Sequence, residues 1–450
     1  MNSLPHQSDP ARAWAPYEPS ARDPWDLARV AHLHRRAGFA ADWSTLVRDR
    51  EAGPKAAVDR LLDGESHARD GQTASDFDAL LAAMGSRLAP GANASVIQGI
   101  WLYRMVLTPH PLRERMTLFW HDHFATSLNK VGNAALMQRQ NDLLRSQAIG
   151  DFKAMLAAIG KDPAMLIWLD STSNKKAKPN ENYAREVMEL FALGRGRYSE
   201  KDIQEAARAF TGWFVIRDRW SEIPSQHDDG PKTVLGKTGR FRGEDIPAIL
   251  LEQEACAEFL CEKLFRLFVS EVDPAPPALV KALAKRFRES GYAIRVPVET
   301  ILRSNLFHDA SVRRRRVKSP VEYAVGTVRA LEATKPTVSA PALADACSRM
   351  GQGLYTPPSV AGWDGGPSWI NTTAMLHRTN FILALLGKDD EALGGRIDPA
   401  ALAERHGVAP LEFYRDLLVQ DALAPAALPT KTDARELAVL VAASPEYQLA

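Results

Sequence analysis

Apolar residues recur at spacings of three and four along most of this chain, and that period constrains the fold more than any other feature. Segments such as "DLARVAHLHRRAGF", "SDFDALLAAMGSRL", "ASVIQGIWLYRMVLT" and "DARELAVLVAAS" each read as an amphipathic helix. "DLLRSQAIGDFKAMLAAIG" reads as two helices broken at Gly150. Start signals agree with the period. Ser319, Pro320 and Glu322 spell a capping box, and Ser199 with Asp202 spells a second. Strand candidates are scarce. "WFVI" at 213–216 and "KTVLG" at 232–236 are short enough to pair only as one small ribbon. No alternation of strand and helix supports a doubly wound or barrel fold. The expected architecture is mainly α: a single large helical domain over 26–450, with long ordered loops and at most a small β-ribbon. A proline-rich, polar N-terminus predicts a loose tail over 1–25. Residues 337–345 and 386–430 read as variable surface connections.

Bulk properties exclude several classes. The 450 residues can bury a large core without a metal or disulfides to hold it. There are 56 basic and 55 acidic residues, so no overall field draws the chain to nucleic acid or membrane. Three cysteines do not make a disulfide framework. No apolar run approaches the length of a transmembrane helix, and the N-terminus has no apolar signal core. Four arginines at 313–316 read as a solvated face.

Chemistry concentrates in polar islands. "HDDGPKTVLGKTG" at 227–239 superficially resembles a nucleotide-binding loop. Five residues separate Gly230 from Gly236 where four are required, and Pro231 removes a backbone donor, so no nucleotide is expected. What remains is a turn carrying His227, Asp228, Asp229 and Lys232. A second island, "PHPLRERMTLFWHDHFATS", predicts a helix opening at Pro111. His123 shares its apolar face with Trp120 and Met116, whereas His121 lies nearly opposite with Glu114 and Thr117. A third, "KPNENYAREVMELFALGRGRY", predicts a helix from Asn180 or Asn182 to Gly194, with Glu186 at the edge of its apolar face. Arg185 and Glu189 can pair outside it. In "YTPPSVAGWDGGPSWINT", Trp363 and Trp369 either plug a loop onto the core or line a pocket.

Taken in order, the blocks "HLHRRAGF", "RERMTLFWHDHFATS", "PNENYAREVMELFALGRGRYSEKDIQEAARAFTGW", "HDDGPKTVLGKTG" and "GQGLYTPPSVAGWDGGPSWINT" resemble a bacterial family known as domain of unknown function number eighteen hundred. The resemblance runs over nearly the whole chain. It implies one family-wide unit and no established reaction. "WHDHF" often reads "WHNHF" in that family, so Asp122 is a poor candidate for an essential acid. The resemblance also implies a companion protein, from a second uncharacterised family numbered fifteen hundred and one, whose members often carry export signals. With no signal of its own, the protein is expected in the cytoplasm, or in the periplasm by co-export with such a partner.

Two functional readings follow. In the first, the islands converge on a hydrolase or lyase-type pocket. His123, Glu186, His227 and Asp228 would then be the catalytic groups, with Asn180, Arg185, Lys232 and Trp363 facing substrate. The cofactor is undetermined; a divalent cation held by His121, His123, Glu186 and His227 is the candidate. In the second, the protein is a non-catalytic scaffold or maturation partner, and the same residues form a buried hydrogen-bonded network.

Overall fold

In a computed structural model, residues 9–88, 91–388, 390–395, 397–420 and 433–450 are described. The architecture is mainly α, with two small antiparallel ribbons. Most helices start where short polar side chains meet the apolar period. Asp26, Asp42, Thr73, Asn93 and Asp162 each accept a hydrogen bond from a backbone N–H of the following first turn. Both capping boxes form, at Ser199 with Asp202 and at Ser319 with Glu322. The break at Gly150 separates the helices Ala134–Ser146 and Phe152–Gly160. Among the described residues, no helix is long and apolar enough to cross a membrane.

The core consists of two apolar clusters. One gathers Trp120, Phe124, Phe152 and Phe191; the other gathers Trp101, Tyr323, Tyr355 and Phe381. Each such side chain contributes roughly 1.5–3 kcal/mol on burial. The helix Pro111–His123 serves both clusters, giving Leu112, Met116 and Trp120 to the first and Leu118 to the second. Its face opposite Trp120 is therefore buried too, although the sequence makes it polar. Glu114, Thr117 and His121 are all buried there. The Glu114 carboxylate is satisfied by Arg145 (Nε to Oε1, 2.8 Å) and by the Trp101 indole N–H (2.9 Å). A helix wedged between two cores ends where they meet, which places Asp122 and His123 at the junction.

Four expectations are corrected. The strand candidates do not pair with each other. β1 (Trp213–Ile216) pairs with β2 (Arg219–Glu222), and β3 (Lys232–Val234) pairs with β4 (Lys237–Gly239). Each hairpin closes on two residues of positive φ, Arg217–Asp218 and Leu235–Gly236, the turn geometry that matches strand twist. The expected loose tail is docked from Pro10 onward: Trp14 is buried, and its indole donates to the Leu279 carbonyl (3.1 Å). Residues 1–8 of that tail lie outside the described residues. The expected surface connections contain packed helices at Ala340–Arg349, Pro399–Arg405 and Pro410–Tyr414, the last burying Phe413 and Tyr414; 421–430 lies outside the described residues. The arginine run is not a solvated face. Arg316 is buried against Glu271 and Glu322, Arg315 pairs with Asp273, and Arg314 donates to the Val419 carbonyl.

Candidate functional site

At the junction, the end of the Pro111–His123 helix faces the helix Glu254–Phe268 and the loop 361–369 across a cleft of about 200 Å³. The 254–268 helix buries Ala257, Leu260, Cys261, Leu264 and Phe268 in the core. That orientation leaves Lys263 and Arg266, one turn apart, on the edge facing the cleft. Trp363 and Trp369 form the opposite wall. The floor is an ion-pair network. Glu322 accepts from Arg316 (3.0 Å), from Arg115 and from the Ser319 backbone N–H (2.8 Å), and Arg316 also reaches Glu271 (2.8 Å).

His123 is locked from both sides. Its Nε2 lies 3.0 Å from the Phe191 carbonyl, which can only accept, so Nε2 carries the proton. Phe191 sits in a π-helical turn, Val187–Ala192, at the C-terminal end of its helix, where carbonyls lack intrahelical partners. Nδ1 is then left with its lone pair, and the Lys263 Nζ donates to it at 3.0 Å. Burial, and then the nearby Lys263 charge, hold the imidazole well below its ordinary pKa, so it is neutral.

Lys263 makes no ion pair within reach of its nitrogen among the described residues; its partners are the imidazole and the Phe259 ring, 5.0 Å away. Burial lowers its pKa to about 8, opposed by the Asp122 charge. A tenth or so of the amine is then neutral at pH 7, against a few parts in ~10,000 for an ordinary lysine. Asp122 moves the other way. Burial raises it to about 6, opposed by the hydrogen bond from the Trp363 backbone N–H (2.8 Å). A neutral imidazole, an amine that loses its proton more easily than usual and a carboxyl that takes one up more easily than usual meet in one cleft. Such clusters can move protons near neutral pH.

The family model described as protein of unknown function (DUF1800) matches residues 32–449. The chain belongs to DUF1800. No curated protein and no solved structure matches it.

In this DUF1800 protein the polar islands of the sequence divide among separate surroundings. His123 and Trp363 line the cleft. His121 sits behind it: its Nε2 accepts from the Tyr355 backbone N–H (3.0 Å), its ring lies 5.9 Å from that of Trp363, and burial lowers its pKa to about 3. Glu186 is half-buried at the end of the α-helix Asn182–Glu186, just before the π-helical turn, its pKa raised by burial and by Glu189. Arg185 pairs with Glu200 (2.7 Å) and Glu181 (3.1 Å) at the surface. Asn180 ties its own loop, donating to the Asp170 carbonyl (3.2 Å).

The 227–232 turn is tied to Arg208 and Thr211 and braced from within by Lys232. His227 Nδ1–H donates to the Thr211 carbonyl (2.9 Å). Asp228 accepts from Arg208 Nε (2.8 Å). The Lys232 ammonium is buried and donates to the carbonyls of Gly230 (3.0 Å) and Asp228. None of these residues lines the cleft. Among the described residues, no group of three or more His, Cys, Asp or Glu side chains is arranged to hold a metal ion.

Sequence reasoning missed Lys263 and Arg266. In "EACAEFLCEKLFRLF" they look like ordinary solvent-facing residues of an amphipathic helix. The Lys263 partner His123 is 140 residues away, and no local spacing announces the meeting.

Proposed function

We propose that this DUF1800 protein is an enzyme of hydrolase or lyase type, working in the cleft between the 111–123 helix, the 254–268 helix and the 361–369 loop. Lys263 is the reactive group. His123 holds and orients its nitrogen, and Trp363 encloses the substrate. Asp122 positions the Trp363 loop. The observation that carries the reading is the Lys263 amine, 3.0 Å from a neutral imidazole, opening on a cavity large enough for a small molecule. Titration by competitive labelling tests it. The protein is reacted with trace acetic anhydride across a pH series, and each lysine's labelling is read by peptide mass spectrometry. Half-maximal reactivity of Lys263 near pH 8 is expected. A value near the ordinary ~10.4 refutes the reading.

A second reading, the scaffold for a companion protein, is favoured by a different feature. Leu80, Met84 and Val96 stand exposed along an apolar groove between the helices Ala74–Ser86 and Ala94–Leu107. Co-purification with a companion of the family numbered fifteen hundred and one is its test, and failure to associate counts against it.

A further inference from the structure

We infer that the Lys263 amine captures a small carbonyl compound bearing a carboxylate, as an imine, with Arg266 holding the carboxylate. The inference rests on the cleft being a reactive site and names what reacts there.

Three observations carry it. First, Lys263 is held by an imidazole rather than a carboxylate. An acceptor at Nδ1 takes one N–H and turns the lone pair of the neutral amine away from itself. A lysine bound only to orient an anion would gain nothing from such a partner, whereas a nucleophilic amine needs one. Second, Arg266 lines the same cleft one turn along the same helix and has no ion-pair partner among the described residues. The other guanidiniums of the cleft are spent: Arg316 on Glu271 and Glu322, Arg115 on Glu322. A free planar guanidinium fits a carboxylate in two parallel hydrogen bonds. Third, the indole walls and the cavity of about 200 Å³ admit a compound of a few carbon atoms and exclude a polymer chain from the floor. Asp364, on the rim, is a cleft carboxylate with no hydrogen-bond or ion-pair partner among the described residues. Its charge disfavours an anion on that side of the cleft and leaves the Arg266 side as the favourable one.

The step balances without an oxidant or a metal. The amine nitrogen attacks the carbonyl carbon, a C–N bond forms, and the C–O π pair moves to oxygen. One proton passes from nitrogen to that oxygen, giving a carbinolamine. Loss of the hydroxyl with the second nitrogen proton releases water and leaves the C=N bond. Water reverses it.

Pyruvate with sodium cyanoborohydride, which reduces the imine to a stable secondary amine, is the probe, with acetone as the uncharged control. Adducts on the full-length protein are quantified by peptide mass spectrometry. On the order of tenfold faster modification of Lys263 by pyruvate is expected, relative to the exposed Lys55 and Lys285. Lys263→Arg should remove that adduct. Arg266→Gln, at an exposed position, should slow the pyruvate reaction several-fold more than the acetone reaction, which changes only through the lost Arg266 charge that helps to lower the Lys263 pKa; equal slowing of the two overturns the inference. Modification of Lys263 no faster than of Lys55 and Lys285, or indifference of the pyruvate rate to Arg266→Gln, overturns the inference. The anhydride titration separates the two failures. If Lys263 titrates near pH 8 yet captures no pyruvate, the imine chemistry falls and the reactive cleft stands. If it titrates like a surface lysine, both fall.

Discussion

The backbone N–H of Trp363 donates to the Asp122 carboxylate over 2.8 Å, joining two residues 241 positions apart and closing one side of the cleft. The approach depends on Gly362. A Cβ there would lie 2.2 Å from Asp122 Oδ1 and 2.7 Å from the Asp122 carbonyl oxygen, at a backbone φ of 82°. Gly362→Ala therefore meets both steric overlap and left-handed strain. A loss of about 2 kcal/mol or more is expected, read as a lower urea midpoint. The loop should also lift from Asp122, and the low titration of Lys263 should drift upward as water enters. An unchanged midpoint and titration would mean that the loop is not held by this contact.

Asp122→Asn separates the charge of that side chain from its shape. An amide oxygen accepts from Trp363 as well as a carboxylate does, so folding should change little, within about 0.5 kcal/mol for an exchange that keeps the hydrogen bond. The Asp122 charge raises the pKa of Lys263 against the larger effect of burial. Removing it leaves burial less opposed, and Lys263 should titrate below pH 8. Competitive labelling of the variant measures this directly; an upward shift would contradict the assigned electrostatics. Family members reading "WHNHF" are expected to hold the loop in the same way.

Acid should destabilise the protein from about pH 6.5 downward, well before carboxylates titrate in bulk. His32, His121, His123 and His308 are all buried with depressed pKa values, His121 and His308 to about 3. The unfolded chain takes up protons at these groups below about 6.5 while the folded chain does not, so stability falls with pH. Asp122 and Asp162 oppose this. Burial raises both to about 6, so between there and about 3.8 they favour the folded state as pH drops. Four imidazoles against two carboxyls leave about two protons, or roughly 3 kcal/mol per pH unit around pH 5. Urea unfolding at pH 7.5, 6.5 and 5.5 checks the slope; a midpoint independent of pH over that range would contradict the burial of these histidines.

The fold was largely legible because helix period and capping are local. Ser199, Ser319, Gly150 and Pro111 announce their elements within a few residues. What was misjudged depended on contacts at long range. Trp14 looks like part of a loose tail until the Leu279 carbonyl is in place to receive it. Arg316 looks solvent-facing until Glu271 and Glu322 approach. The same holds at the cleft. His123 and Trp363 stood out because histidine and tryptophan are conspicuous at a helix end and in a glycine-rich loop. Lys263 did not, since a lysine on an amphipathic helix is the commonest of patterns and only its distant imidazole makes it unusual. Conversely, the density of charge in "HDDGPK" drew notice, yet each of its groups has a partner within or beside the turn.

Lys232 offers the test of that last distinction. Its ammonium is buried and bridges the carbonyls of Asp228 and Gly230, as a cross-brace inside the 227–232 turn. Lys232→Met keeps the aliphatic stem and removes the donors, leaving two carbonyls to find water. Each unmet group costs about 1–3 kcal/mol when buried. The turn is also pinned by Arg208 on Asp228, so it should loosen without unfolding the rest of the chain. Limited proteolysis is expected to cut the variant faster between 227 and 232. Because no atom of Lys232 lines the cleft, the labelling titration of Lys263 should remain near pH 8. A shift in that titration, with the turn still resistant to protease, would tie Lys232 to the chemistry of the cleft and restore the single convergent site expected from the sequence.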